Sequence, residues 1–64
     1  MPIIRVEMYK GRDRDKKRAL VRALTEAFNT TCGGTPDQVH IVLTEVDKED
    51  WGVGGQLVVD RSSG

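Results

Sequence analysis

A stretch of the sequence without glycine or proline, residues 12–32, lies between two runs rich in β-branched and large apolar residues, 3–9 and 39–46. The two runs have the composition of strands, and the stretch between them has the length of a crossover helix. Because such a helix returns the second strand beside the first in the same direction, we expect two parallel strands with a right-handed connection. The sequence therefore predicts a β-α-β unit in the α+β class.

The helix has recognisable ends and one apolar stripe. Asp13 is a candidate N-cap, Asp15 adds negative charge to the first turn, and Gly33 supplies a stop. Small and apolar side chains recur at three- and four-residue spacing. They are Leu20, Ala23, Leu24, Ala27, Phe28 and Thr31. These signals predict a helix over residues 14–32 that buries this stripe.

The C-terminal part of the chain has the pattern of a β-hairpin. Gly54 and Gly55 lie between apolar residues in the segment 51–59, which suits a tight turn between two strands. We expect the hairpin to reach onto a neighbouring copy of the chain. Residues 60–64 are small or polar and are expected to fray, and residues 1–64 are interpreted as a single domain.

A chain of 64 residues needs stabilisation beyond its own hydrophobic core, because folding buries only about 60% of the surface that the unfolded chain exposes. Cys32 is the only cysteine, which excludes an internal disulfide, and together with His40, the only histidine, it cannot complete a structural zinc site. One β-α-β unit also leaves two sheet edges and one sheet face uncovered. We therefore expect the chain to self-associate.

Charge and hydropathy exclude several partners. Ten lysine and arginine residues balance ten acidic residues, so the basic field needed for nucleic acids or anionic membranes is missing. The apolar runs are only a few residues long, too short for a membrane span or a signal peptide. We expect a cytoplasmic protein with no nucleic-acid or membrane partner.

Pro2 is the first candidate for chemistry. If Met1 is removed, which the small residue behind it favours, the new N-terminus is a secondary amine that can act as a base. Proline after an initiator methionine is common, so this signal is weak by itself.

Four short segments together carry a resemblance to a known family. They are Met-Pro-Ile-Ile at 1–4, Gly11-Arg12 before the helix, Thr44-Glu45 at the end of the second strand, and Trp51-Gly52-Val53-Gly54-Gly55. In this register the chain resembles the 4-oxalocrotonate tautomerase family over residues 1 to about 58 without a gap. Each segment is weak alone, but all four in register are specific.

The resemblance implies an isomerase assembled as a homohexamer, with pockets shared between subunits and no metal or cofactor. In that family the proline nitrogen moves a proton between oxygen and carbon of an enol or dienol such as 2-hydroxymuconate. Carried over by position, Pro2 is the general acid/base, Arg12 holds a substrate carboxylate, and Trp51 is an aromatic wall of the pocket. With Ile3, Trp51 and Arg12 around the nitrogen, an apolar pocket and a nearby cation would lower the pKa of the proline amine toward neutrality, where a base is most useful.

His40 departs from the family pattern, which usually has an arginine at this position. Neutral histidine offers one N–H donor and no permanent charge, so it does not replace a bidentate arginine. Three interpretations stay open. The pocket accepts a monoacid or less charged enol, another cation such as Arg5 or Arg61 folds into the site, or His40 is a structural residue on a strand face.

Two further alternatives to a tautomerase remain. A dehalogenase-like hydration would use the protonated proline as an acid and a carboxylate, with Glu45 or Asp50 as candidates, to activate water. A non-catalytic oligomeric module would keep the fold without the chemistry.

Overall fold

The computed structural model describes residues 1–61. Strand β1 covers Ile3–Tyr9, helix α1 covers Arg14–Cys32 and strand β2 covers His40–Val46. Two short strands, β3 at Gly52–Val53 and β4 at Gln56–Leu57, follow. Short 3₁₀ turns lie at Pro36–Gln38, Lys48–Asp50 and Val58–Arg61. The predicted β-α-β order, with one long helix and a C-terminal hairpin, is confirmed.

Strands β1 and β2 pair in parallel, as predicted, and their register aligns Ile3 with His40 and Tyr9 with Val46. Side chains alternate between two faces of this sheet. Ile4, Val6 and Met8 of β1 are the more buried set, together with Ile41, Leu43 and Glu45 of β2. This set faces α1, as the contact between Lys17 and Glu45 shows. The other face, which includes Ile3, Arg5, His40 and Val42, is uncovered in the single chain.

Helix α1 begins and ends as its sequence predicts. The Asp13 side chain accepts a hydrogen bond from the Lys16 backbone N–H at 2.9 Å, which caps the first turn. At the other end Gly33 has a φ of 85°, a conformation that favours glycine, and its N–H donates to the Asn29 carbonyl.

The predicted buried stripe of α1 is partly wrong. Leu20, Leu24 and Phe28 are half-buried, but Ala23, Ala27 and Thr31 are exposed. The side chains that replace them on the covered face are Lys17, Val21, Thr25 and Asn29. The covered face of the helix is therefore displaced from the predicted stripe, and Lys17 on that face pairs with Glu45 of β2.

The C-terminal hairpin is confirmed, but its strands have only two residues each. Gly54 and Gly55 form the turn with φ angles of 61° and 84°, where a side chain would be strained. The Val58–Arg61 turn corrects the expectation of fraying for Asp60 and Arg61. The rest of that expectation, on residues 62–64, lies outside the described residues.

The single chain has almost no core of its own. Among the described residues Met8 is the one buried hydrophobic side chain, at 9% exposure. The radius of gyration is 15.0 Å, whereas a compact chain of this length has about 11 Å. The accessible surface is 5067 Å², against about 4,100 Å² for a compact monomer of this mass. Within residues 1–61, no helix is both long and apolar enough to cross a membrane.

Candidate active site

Pro2 and His40 lie together at the N-terminal end of β1. Pro2 is half-buried, and its carbonyl oxygen accepts a hydrogen bond from the His40 backbone N–H at 3.0 Å. This bond extends the parallel pairing by one residue and fixes the position of the Pro2 backbone. Met1 precedes it and is 84% exposed, so the start of the chain is accessible to an aminopeptidase.

The His40 side chain belongs to the sheet face that points away from α1. It is exposed and lies opposite Ile3 in the register. Arg5 is on the same face, two residues further along β1 and opposite Val42. The other candidate cation, Arg61, instead donates from Nη1 to the Val53 carbonyl at 3.4 Å. Of the two, Arg5 is the cation that shares the sheet face of His40.

Arg12 lies at the other end of β1, in the turn that leads into α1. Its Nη1 donates to the Tyr9 carbonyl at 3.0 Å, and its side chain is exposed. Among residues 1–61 no carboxylate forms an ion pair with this guanidinium. Since a guanidinium has five N–H donors, most of them stay available for an added carboxylate.

The turn that carries Arg12 is attached to the end of β2. The Lys10 backbone N–H donates to the Val46 carbonyl at 3.0 Å, and the Lys10 ammonium lies 3.4 Å from the Asp47 carboxylate. Gly11 has a φ of 131°, which other residues rarely adopt.

Glu45 joins the end of β2 to helix α1. Its Oε1 accepts from the Lys17 Nζ at 2.6 Å, and both side chains are largely shielded, at 31% and 24% exposure for lysine and glutamate. The Lys17 hydrogen bond lowers the pKa of Glu45 below its ordinary value of 4.5, against the opposing effect of partial burial. The Lys17 charge, the Gly11 backbone N–H and the Lys10 charge add to that lowering of the pKa. Glu45 is thus engaged by cations and is not free to activate water.

Trp51 packs beside Tyr9 near this second end. The two rings meet edge to face with centroids 4.6 Å apart and an interplanar angle of 71°. The Lys48 ammonium lies 5.7 Å from the centre of the Tyr9 ring. The Trp51 carbonyl also accepts from the Val58 N–H at 2.8 Å, which closes the base of the hairpin.

A small surface cavity of about 250 Å³ adjoins Trp51. Two carboxylates line it, from Glu7 and Asp50, together with Val46 and Gly52. Sequence reasoning named Asp50 but missed Glu7 and Tyr9. The alternation of side chains along β1 could have indicated both residues, because it places them on the sheet face opposite to that of Met8.

The four candidate residues form two separate groups in one chain. Pro2 and Tyr9 are separated by the length of β1, which at about 3.3 Å per residue is more than 20 Å. Pro2 and His40 are therefore at one end, and Arg12 and Trp51 at the other. The expectation that Arg12 and Trp51 surround the Pro2 nitrogen is not met within one chain, because an extended strand lies between them.

Comparisons with known proteins give a consistent result. The family model described as "Tautomerase enzyme" matches residues 2–61. A probable tautomerase of Halalkalibacterium halodurans is 41% identical over 61 residues, which covers 95% of this chain and 100% of that protein.

Solved structures agree with that match. The crystal structure of TomN, a 4-oxalocrotonate tautomerase homologue in the tomaymycin biosynthetic pathway, superimposes with a TM-score of 0.93 at 36% identity and covers 98% of this chain and 97% of that one. A heterohexamer 4-oxalocrotonate tautomerase from Chloroflexus aurantiacus gives a TM-score of 0.87 at 30% identity, covering 94% and 97% of the two chains. Since the family model matches nearly the whole chain and the relative from Halalkalibacterium halodurans is similar over its full length, the chain belongs to the tautomerase family.

Proposed function

We propose that this protein is a cofactor-independent tautomerase that converts a 2-hydroxydienoate, such as 2-hydroxymuconate, into its 2-oxo isomer. The proposal rests on the position and surroundings of Pro2. It follows an exposed Met1, and its backbone is held against β2 by the hydrogen bond from His40. Removal of Met1 converts its nitrogen from an amide, which is not basic, into a secondary amine at a fixed position.

The reaction requires only the movement of one proton. The Pro2 nitrogen takes the proton of the enol hydroxyl as that oxygen becomes a carbonyl, and the double bonds shift along the chain. The protonated amine then returns a proton to carbon. No atom is gained or lost, and the amine is regenerated.

Arg12 is proposed to hold a substrate carboxylate. Its guanidinium is exposed and free of ion pairs within residues 1–61, so binding a carboxylate does not require an internal partner to be displaced. A planar fork of donors matches the two oxygens of a carboxylate. Trp51 is proposed as an aromatic wall beside it.

The distance between Pro2 and Arg12 supports a site built by more than one copy of the chain. A dienoate of six carbons is far shorter than the length of β1, so one molecule cannot contact both residues of the same chain. The uncovered sheet face and the absence of a core among the described residues also favour self-association. We propose a homohexamer, supported by the fold shared with a heterohexameric relative, and a cytoplasmic location.

Two residues are candidates for binding the second end of the substrate. His40 lies on the uncovered face beside Ile3, where a substrate bound at Pro2 could reach it, and Arg5 follows on the same face. Either residue could contact a second carboxylate or a 2-oxo group. A less charged enol acid remains the main alternative substrate.

A hydration reaction is a second candidate, favoured by one observation. Glu7 and Asp50 line the cavity beside Trp51, where a carboxylate could activate water. Glu45 is a poor candidate for that role because Lys17 already engages it.

The test uses tag-free protein whose intact mass shows whether Met1 has been removed. Ketonisation of 2-hydroxymuconate, followed by ultraviolet absorbance, should be far above the rate without enzyme. Pro2→Ala keeps an amine but makes it primary, and it should lower kcat by about 100-fold or more, the range of general acid-base catalysis. Asp15→Asn, on the exposed side of α1, is the control and should retain full activity. Full activity in Pro2→Ala, or in protein that retains Met1, would refute the role of Pro2.

A further inference from the structure

Tyr9 contacts both members of the group formed by Arg12 and Trp51. It is the last residue of β1 and is half-buried, on the sheet face away from α1. Its carbonyl oxygen accepts a hydrogen bond from the Arg12 Nη1 at 3.0 Å. Its ring meets the Trp51 ring edge to face, with centroids 4.6 Å apart. One residue therefore joins the guanidinium and the indole, the first through its backbone and the second through its side chain.

The Tyr9 ring is held by the segment that follows β2. Trp51 contacts the ring, and the Lys48 ammonium lies 5.7 Å from its centre, within the range of a cation–π interaction. Lys48 begins the Lys48–Asp50 turn, and Trp51 directly follows that turn. The backbone of Tyr9 is fixed separately, because the parallel pairing aligns it with Val46. The ring therefore connects the end of β1 to the turn that carries Trp51.

The ring, and not the hydroxyl group, makes these side-chain contacts. Within residues 1–61 no hydrogen bond involves the Tyr9 hydroxyl. Rings in edge-to-face contact attract each other through their quadrupoles, which favours one relative orientation. Because Trp51 is only half-buried, this contact restricts an indole that would otherwise lose more conformational freedom when a ligand packs against it.

We propose that Tyr9 is a positioning residue for the part of the site that binds the substrate carboxylate. Its ring fixes the orientation of the Trp51 ring, and its carbonyl ties the Arg12 guanidinium to the same strand end. The donors of Arg12 and the wall formed by Trp51 are thus pre-organised relative to each other before a planar dienoate binds. This inference rests on the proposed roles of Arg12 and Trp51. Tyr9 does not contact the substrate in this scheme.

Tyr9→Ile is the test substitution. Isoleucine is apolar, suits a strand and keeps the backbone carbonyl, so the change removes only the contacts of the ring. Loss of the aromatic pair and of the pre-organised indole corresponds to about 3- to 10-fold weaker binding. We expect KM for 2-hydroxymuconate to rise by that factor with kcat unchanged, because the wall contacts the substrate equally in the ground and transition states. Tyr9→Phe, which keeps the ring, should restore the lower KM.

Two further measurements report on the pair without catalysis. The sequence contains one tryptophan and one tyrosine, so these two rings dominate the near-ultraviolet circular dichroism. The indole signal should largely disappear in Tyr9→Ile and persist in Tyr9→Phe, while the far-ultraviolet spectra stay the same. Titration calorimetry measures the Kd of cis,cis-muconate, a dicarboxylate that lacks the reactive hydroxyl. This Kd should rise about 3- to 10-fold in Tyr9→Ile.

A double-mutant cycle separates the positioning of Trp51 from a general structural role. In a Trp51→Ala background, Tyr9→Ile should produce no further rise in KM or in the Kd of muconate. Asp15→Asn is the control, since it removes an exposed ion pair of α1 without touching either ring, and its KM should equal that of the unsubstituted protein. If Tyr9→Ile does not fold, Tyr9→Leu removes the same ring contacts and takes its place in the cycle.

The outcomes distinguish this inference from the proposed function. If Trp51→Ala leaves KM and the Kd of muconate unchanged, Trp51 is not a wall of the site, and the role of Tyr9 fails with it. If Trp51→Ala raises both constants but Tyr9→Ile does not, or if the two effects multiply in the double variant, only the positioning role of Tyr9 is overturned.

Binding without turnover gives a separate result. If the unsubstituted protein binds muconate but does not ketonise 2-hydroxymuconate, the proposed reaction fails, and the cycle in Kd alone decides the role of Tyr9. Absence of muconate binding would overturn the proposed roles of Arg12, Trp51 and Tyr9 together.

Discussion

Dilution should lower the temperature at which this protein unfolds. The single chain buries little, since Met8 is the one buried hydrophobic side chain described and the accessible surface exceeds that of a compact monomer by about 1,000 Å². Folding is therefore expected to be coupled to assembly, and the midpoint of a coupled transition depends on protein concentration.

The size of the shift follows from the enthalpy of unfolding. At about 0.7 kcal/mol per residue near 60 °C, a 64-residue chain has an enthalpy of about 45 kcal/mol. For six chains that fold only as they assemble, each tenfold dilution then lowers the midpoint by about 9 °C, and for two chains by about 6 °C.

The assay is thermal unfolding followed by far-ultraviolet circular dichroism at concentrations about 100-fold apart. A hexamer should show a shift of about 19 °C and a dimer about 11 °C. Sedimentation at the higher concentration measures the mass of the assembly independently. An unchanged midpoint together with the mass of one chain would refute the coupling of folding to assembly.

Two further predictions concern single ionisable groups. If His40 contacts the substrate as a cation, kcat/KM on a carboxylate substrate should have a pH dependence that His40→Gln loses; identical pH profiles for the two proteins would refute a cationic contact of His40 with the substrate. The pKa of Glu45 is lower in the folded protein than its ordinary value of 4.5. The ionised carboxylate therefore contributes fully to stability at pH values above 4.5, and this contribution is lost as the pH falls through the lower pKa of the folded state. Near neutral pH, denaturant unfolding should therefore give Glu45→Gln a lower free energy of unfolding than the unsubstituted protein. In acid the difference between the two free energies should be smaller. A difference that is constant with pH would contradict the ion pair.

Local signals in the sequence were sufficient for the secondary structure. Asp13 and Gly33 were predicted as the ends of α1 because a cap requires only the residues of the first or last turn, and the structure confirms both. The parallel pairing of β1 and β2 also followed from the sequence, since a long crossover leaves little other choice.

The sequence determined less about packing around the helix. Periodicity proposed Ala23 and Ala27 for the buried stripe, but the structure buries part of Lys17 and Asn29 instead. A long side chain such as lysine covers apolar surface with its methylene groups and leaves its charge for a partner. That partner, Glu45, is 28 residues away in sequence, beyond the reach of any local pattern.

By itself the sequence determined the elements, their order and the candidate residues Pro2, Arg12, His40 and Trp51. Only the tertiary structure decided that Pro2 and Arg12 lie at opposite ends of one strand, that His40 is on the uncovered face of the sheet, and that Glu45 of β2 pairs with Lys17 of α1. The physical reason is that capping and strand propensity act within a few residues, whereas strand register and the contacts between elements depend on residues that are distant in sequence and meet only on folding.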